Sequence, residues 1–201
     1  MNEKSPQVEW SENVILVDAD YIDRVAFDLI VNFERMLGRR IPPADMARWI
    51  DCVALDGGLR AGSHHTQVIL LHGKGKEQLD NFNPSRFSTE LHGKAFQDHL
   101  GEFAISAYPV EDMVSAEDFF LDTLQIICSR KEVKRLMVIP DADHIYNKLK
   151  EVLHRMDDED KRITVFTMQP EAGGRFAQEI LGYSLMNALG IKSEELNGTT
   201  T

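Results

Sequence analysis

The chain has 201 residues, 43% hydrophobic and 27% charged, a balance that supports one sizeable core and excludes a disordered chain. Its formal net charge of −11 argues against a long, non-specific duplex footprint, since such binding draws on a basic face. No apolar stretch approaches the ~20 residues of a membrane helix and the first residues do not resemble a signal peptide, so a cytoplasmic protein with no membrane partner is expected.

Residues 1–12 read as an N-terminal extension, 13–192 as a single domain and 193–201 as a flexible tail. The first strand covers 14–17. A helix over 21–37 follows, with Val25, Leu29, Phe33 and Leu37 at helical spacing and Gly38 as its stop. Pro42-Pro43 forces a turn before a second helix over 44–55. A buried strand over 66–71 runs into His72-Gly73-Lys74-Gly75-Lys76. The stretch 77–102 is irregular, with one helix expected near 93–100, and 103–108 is a short strand. The spacing predicts a helix over 116–130, capped by Ser115 with Asp118 at the capping-box offset.

A strand over 136–139 leads into a helix over 143–154. Residues 156–160 make a polar connection to the last strand, 163–167, and 176–189 read as the last helix. This alternation implies a doubly wound α/β domain of about five parallel strands with helices on both faces. Numbered along the chain, the expected order is 3-2-1-4-5, which sets the first and fourth strands side by side.

Each of those two strands ends in acids: Asp18 and Asp20 after Val14–Val17, and Asp141 and Asp143 after Leu136–Ile139. Ligands of open α/β sheets bind outside the carboxyl ends of the strands, so these carboxylates are expected at one mouth. Hard divalent cations take oxygen ligands and relieve the repulsion of clustered carboxylates. The pattern points to a metal-dependent site that handles phosphate. Asp143 also suits the N-cap of the following helix. Lys74 and Lys76 could meet a phosphate, although the glycine spacing is not that of a phosphate loop, and a solvated turn is the competing reading. Cys52 and Cys128 lie in apolar helical patterns and read as reduced thiols.

The run of an apolar strand ending in Asp18, a helix bearing Asp122, and Leu136-Met137-Val138-Ile139-Pro140-Asp141-Ala142-Asp143 before another helix and the strand 163–167 resembles the NYN branch of the PIN-like nuclease superfamily. The likeness extends from Val14 to about Leu189. It implies a three-layer Rossmann-like PIN fold and Mg²⁺- or Mn²⁺-dependent hydrolysis of RNA, making RNA the implied partner. Asp18, Asp122, Asp141 and Asp143 are then the catalytic acids, and Asp18, Asp20, Asp141 and Asp143 the metal ligands. Tyr21 and His144 join Lys74 and Lys76 as substrate-binding residues. Tyr21 stands where the family has Asn, Pro140 where it has Gly, and His144 where it has an aromatic residue. Those departures favour a second reading, a catalytically inactive PIN-like module for binding or assembly. A third is a haloacid-dehalogenase-like phosphatase, with Asp18 as nucleophile and Asp20 as acid/base. That chemistry wants Ser or Thr where His72 closes the second strand. The stripe Phe176, Ile180, Leu181, Leu185 and Leu189 reads as core, with a homodimer contact through the C-terminal helix as the sharper alternative.

Overall fold

The first strand, β1 (Asn13–Asp18), is buried from Asn13 to Val17 because it has a strand on either edge and helices on either face. Its alternation splits the core in two. Ile15 and Val17 face a layer containing Ile22, Trp49 and Leu185, whereas Val14 and Leu16 face Phe120, Leu124 and Leu149. A computed structural model of the chain describes residues 9–156 and 160–198. The remaining parts of the expected N-terminal extension, of the 156–160 connection and of the tail lie outside the described residues.

The chain passes from β1 directly into α1 (Ala19–Leu37), whose N-cap is Asp18 and whose C-cap is Gly38 at φ 64°. The strand β2 (Ala44–Asp45) precedes α2 (Met46–Asp56), and β3 (His65–His72) lies parallel beside β1. The next segment holds β4 (Phe82–Asn83), which pairs with β2, a single π turn at Phe87–Leu91, and the hairpin of β5 (Lys94–Asp98) and β6 (Gly101–Pro109). Then come α3 (Ala116–Cys128), β7 (Arg135–Ile139), α4 (Ala142–His154) and β8 (Arg162–Thr167). The strand β9 (Ala177–Ile180) and the helices α5 (Leu181–Ala188) and α6 (Ser193–Asn197) close the described chain.

The main sheet runs β5-β6-β3-β1-β7-β8-β9, with every pair parallel except β5 with β6. The five expected strands are β1, β3, β6, β7 and β8, and they stand in the expected order. The sheet has seven strands rather than five, because an edge strand was added on each side.

Both additions correct a helix read from the sequence. Residues 94–98 form an edge strand rather than a helix, held by the register Phe96 to Phe103 with the two rings stacked at 4.9 Å. Residues 177–180 likewise pair with β8, so the last helix starts only at Leu181. In each case the open edge of a neighbouring strand supplied hydrogen bonds that outweighed a short segment's own preference. The stripe of the last helix is core: Leu181 and Leu185 are wholly buried and Leu189 nearly so, and Trp49 Nε1 donates to Ser184 Oγ at 3.2 Å. The expected tail opens with α6, tied back where Arg39 Nε meets Glu195 Oε1 at 2.8 Å. Ser115 caps α3 as expected, accepting from Asp118 N. Both cysteines are free, Cys128 buried and Cys52 half-buried. Among the described residues, no helix is long and apolar enough to cross a membrane.

The β5–β6 turn depends on Gly101, which sits at φ 105° and whose added Cβ would fall 2.2 Å from the His64 carbonyl oxygen. Gly101→Ala is expected to destabilise the fold by about 2 kcal/mol or more, since neither the strained backbone nor the clash with main chain is easily relieved. A urea denaturation midpoint indistinguishable from wild type would contradict this.

Candidate functional site

Asp18 leaves β1 one residue after Val17, and Val17 is paired with Ile139 of β7. The registers put Asp18 and the start of α4, at Asp141, on the same lip of the sheet. Asp18 Oδ1 accepts from Tyr21 N at 3.1 Å, the first hydrogen bond of α1. Burial raises its carboxyl to about pH 6, and the charges of Asp20 and Asp141 push the same way against the Tyr21 N–H and Arg24. Asp141 occupies the N-cap position of α4 but makes no capping bond. Its Oδ2 instead accepts from Arg24 at 2.8 Å and from His144 Nδ1 at 2.9 Å. That hydrogen bond raises the His144 pKa. Asp141 Oδ1 is buried and has no hydrogen-bond partner among the described residues.

A second acidic pole lies toward β3. Asp20 Oδ2 accepts from Gly73 N at 2.7 Å, and Lys76 Nζ stands 3.5 Å from its Oδ1, which is buried and without a hydrogen bond among the described residues. An added Cβ on Gly73 would come 2.8 Å from Asp20 Oδ2, so only glycine allows this approach without a shift. Asp23, one turn further on, is 3% exposed. Its carboxylate accepts from Lys76 Nζ at 3.1 Å, from Asp80 N at 3.0 Å, and from Asn81 N at 2.9 Å and Asn81 Nδ2 at 3.2 Å. Burial works against the Lys76 charge, yet Asp23 and Asp20 hold its pKa above the ordinary value.

Of the residues proposed from sequence, the structure brings Asp18, Asp20, Asp141, Tyr21, Lys76 and His144 to this lip. Tyr21 is buried, and burial with the charges of Asp143 and Asp141 pushes its phenol up to about 12, so it stays neutral. Asp143 lies exposed in the first turn of α4, and Asp141, not Asp143, takes the N-cap position. Lys74 is exposed and pairs with Asp112. Asp122 is not brought to the lip: it lies exposed on α3 between buried Phe120 and Leu124, on the side turned away from the core. Two residues along a helix turn about 200°, so a core face that includes Phe120 and Leu124 cannot also turn Asp122 inward. Sequence reasoning passed over Asp23 and Arg24. For Asp23 a signal existed, an acid among Ile22, Val25 and Ala26 on the buried face of an amphipathic helix, where charge persists only when paired.

A divalent cation would find two carboxylates, Asp18 and Asp141, and the orphaned Asp141 Oδ1 fits such an ion. The Arg24 guanidinium already neutralises part of that charge. Among the described residues, no group of three or more His, Cys, Asp or Glu side chains is set to hold a metal ion.

A family model described as "Family of unknown function (DUF6621)" matches residues 7–196. The chain belongs to that family. No curated protein and no solved structure matches it.

The raised Asp18 carboxyl makes the stability of the fold depend on pH. A carboxyl raised to about 6 from 3.8 adds stability in full below about pH 4 and loses it as pH rises through 6. Asp18→Asn keeps the cap acceptor and removes the buried charge. In chelator, it is expected to gain about 2–3 kcal/mol at pH 8, a rise of several degrees in Tm, and to gain little at pH 4. A pH-independent Tm difference would show that Asp18 is an ordinary acid. Asp23→Ala is expected to cost about 3 kcal/mol at pH 7, since Lys76 and two backbone N–H groups lose their buried acceptor. Chemical denaturation measures it.

Proposed function

We propose that the lip holds one divalent cation between Asp18 and Asp141 and presents it to a phosphate-bearing ligand. On this reading the protein is a PIN-like binding module rather than a four-acid ribonuclease. The observation that carries the reading is Asp141 Oδ1, a buried carboxylate oxygen with no hydrogen-bond partner among the described residues, beside an Asp18 whose ionisation Asp141 disfavours. A cation between them would satisfy the first and lower the pKa of the second. Against a full nuclease ring stand the outward Asp122 and the guanidinium of Arg24 on Asp141 Oδ2. Two-metal phosphodiester cleavage needs more anionic ligands than this lip supplies. The phosphatase reading is weakened too. Asp20, its acid/base, is engaged by Gly73 N and Lys76, and the strand end where a hydroxyl is wanted carries a buried His72.

One observation favours the ribonuclease reading, namely an Asp18 carboxyl poised near neutral pH, where a general base works best. A single experiment separates the two. Mn²⁺ is titrated into wild type, Asp18→Asn and Asp141→Asn, and each protein is then incubated with single-stranded RNA and Mn²⁺. The module reading expects one site, weakened about tenfold or more in either variant, with RNA left intact. RNA cleavage that both substitutions abolish would establish the nuclease, and absence of Mn²⁺ binding by wild type would sink both.

A further inference from the structure

Beside the lip, across Lys76, a separate cavity of about 420 Å³ opens between the carboxyl ends of β3 and β6 and the π turn. Its inner wall is a ring pair: His72 and Phe87 stack with centroids 3.9 Å apart and planes 3° from parallel, and both are almost wholly buried. His72 Nδ1 lies 3.1 Å from the Gly73 carbonyl oxygen, which can only accept, so Nδ1 carries the proton. Burial lowers the His72 pKa, which keeps the ring neutral and leaves Nε2 as a lone-pair acceptor. His92 has the opposite tautomer. Its Nδ1 accepts from Ala107 N at 3.0 Å, so the neutral ring carries its proton on Nε2 as a donor.

The charge at this cavity is reversed from that of the chain. Arg86 and Lys76 line it with a single carboxylate, Glu77, on a protein of net charge −11. The Lys76 ammonium is shared with Asp23 and Asp20. The Arg86 guanidinium makes no hydrogen bond or salt bridge among the described residues; its charge acts on the Glu90 carboxylate at longer range, and its N–H groups are available to a ligand. Guanidinium groups match the geometry of phosphate oxygens. A bare phosphate would leave much of the volume empty, while Phe87 and Ala107 supply an apolar surface.

We propose that this cavity binds a phosphomonoester with a small apolar or aromatic body. Arg86 meets the phosphate, Lys76 and the His92 Nε2–H assist, and the body lies against Phe87 and Ala107. His72 Nε2 is left to accept from a hydroxyl where the body carries one. The site needs no cation at Asp18 and Asp141, and it stands or falls apart from the metal reading.

Phenyl phosphate is the probe, titrated without metal and followed by the histidine ring ¹⁵N resonances. Saturable shifts are expected at His72 and His92. Arg86→Ala, which removes an exposed side chain and keeps the backbone bonds to Glu90, should raise Kd about tenfold. Asp141→Asn should leave Kd unchanged, and inorganic phosphate should bind more weakly than the ester. Unmoved His72 and His92 resonances at millimolar ester, or an unchanged Kd in Arg86→Ala, would overturn the proposal. Shifts confined to His144 would also overturn it and move the ligand to the lip. Equal affinity for inorganic phosphate would remove the apolar body from the assignment.

Discussion

The buried carboxylate of Asp23 fastens the long β3–β6 connection to α1. It accepts from two backbone N–H groups, one amide and one ammonium, and the Asp23 carbonyl oxygen accepts from the same amide of Asn81. An acid so placed would be costly alone, but several charge-assisted hydrogen bonds in a low-dielectric setting make it a fixed point. Where Asp23 holds residues 76–81, Lys76 is held too, and Lys76 stands between the Asp18–Asp141 lip and the Arg86 cavity. Loss of this one anchor would loosen both candidate sites while leaving the parallel sheet in place.

Around that point the charges alternate. Asp141 meets Arg24 and His144, Asp20 meets Lys76 and the Gly73 N–H, and Lys76 meets Asp23. The acids at the carboxyl end of the sheet are thus divided into two poles, each with its own cation, instead of pooling into one anionic ring. Asp18 is held differently, by a backbone N–H and by Arg24 at longer range, and burial with the charges of Asp20 and Asp141 raises it to about 6. Such a division leaves fewer free carboxylates at the lip than two metal ions need.

The interior strands were legible because a strand buried on both faces must be apolar throughout. Val14–Val17, the middle of β3, and Leu136–Ile139 all carry that mark, and the acids following the first and third of them located the lip. The edge strands β5 and β9 were not legible. Lys94-Ala95-Phe96-Gln97-Asp98 and Ala177-Gln178-Glu179-Ile180 carry too few apolar residues to mark a face in sequence, and their conformation is set by the neighbour they hydrogen-bond. Asp122 was misplaced for a related reason: resemblance supplied the residue, while the local face of α3 turned it outward.

By itself the sequence determined a doubly wound α/β sheet, its five-strand order, the helix caps at Ser115 and Gly38, and the presence of Asp18 and Asp141 at one end of that sheet. Those features follow from periodicity and local hydrogen bonding, which act over a few residues. Only the tertiary structure decided which charge meets which. Arg24 reaches Asp141 across 117 positions, and Lys76 reaches Asp23 across 53. The stacking of His72 on Phe87 and the opposite tautomers of His72 and His92 likewise arise from backbone and ring partners brought together by the β3–β6 connection. Coulombic and hydrogen-bond partners are set by distance in space, and separation along the chain carries no record of it.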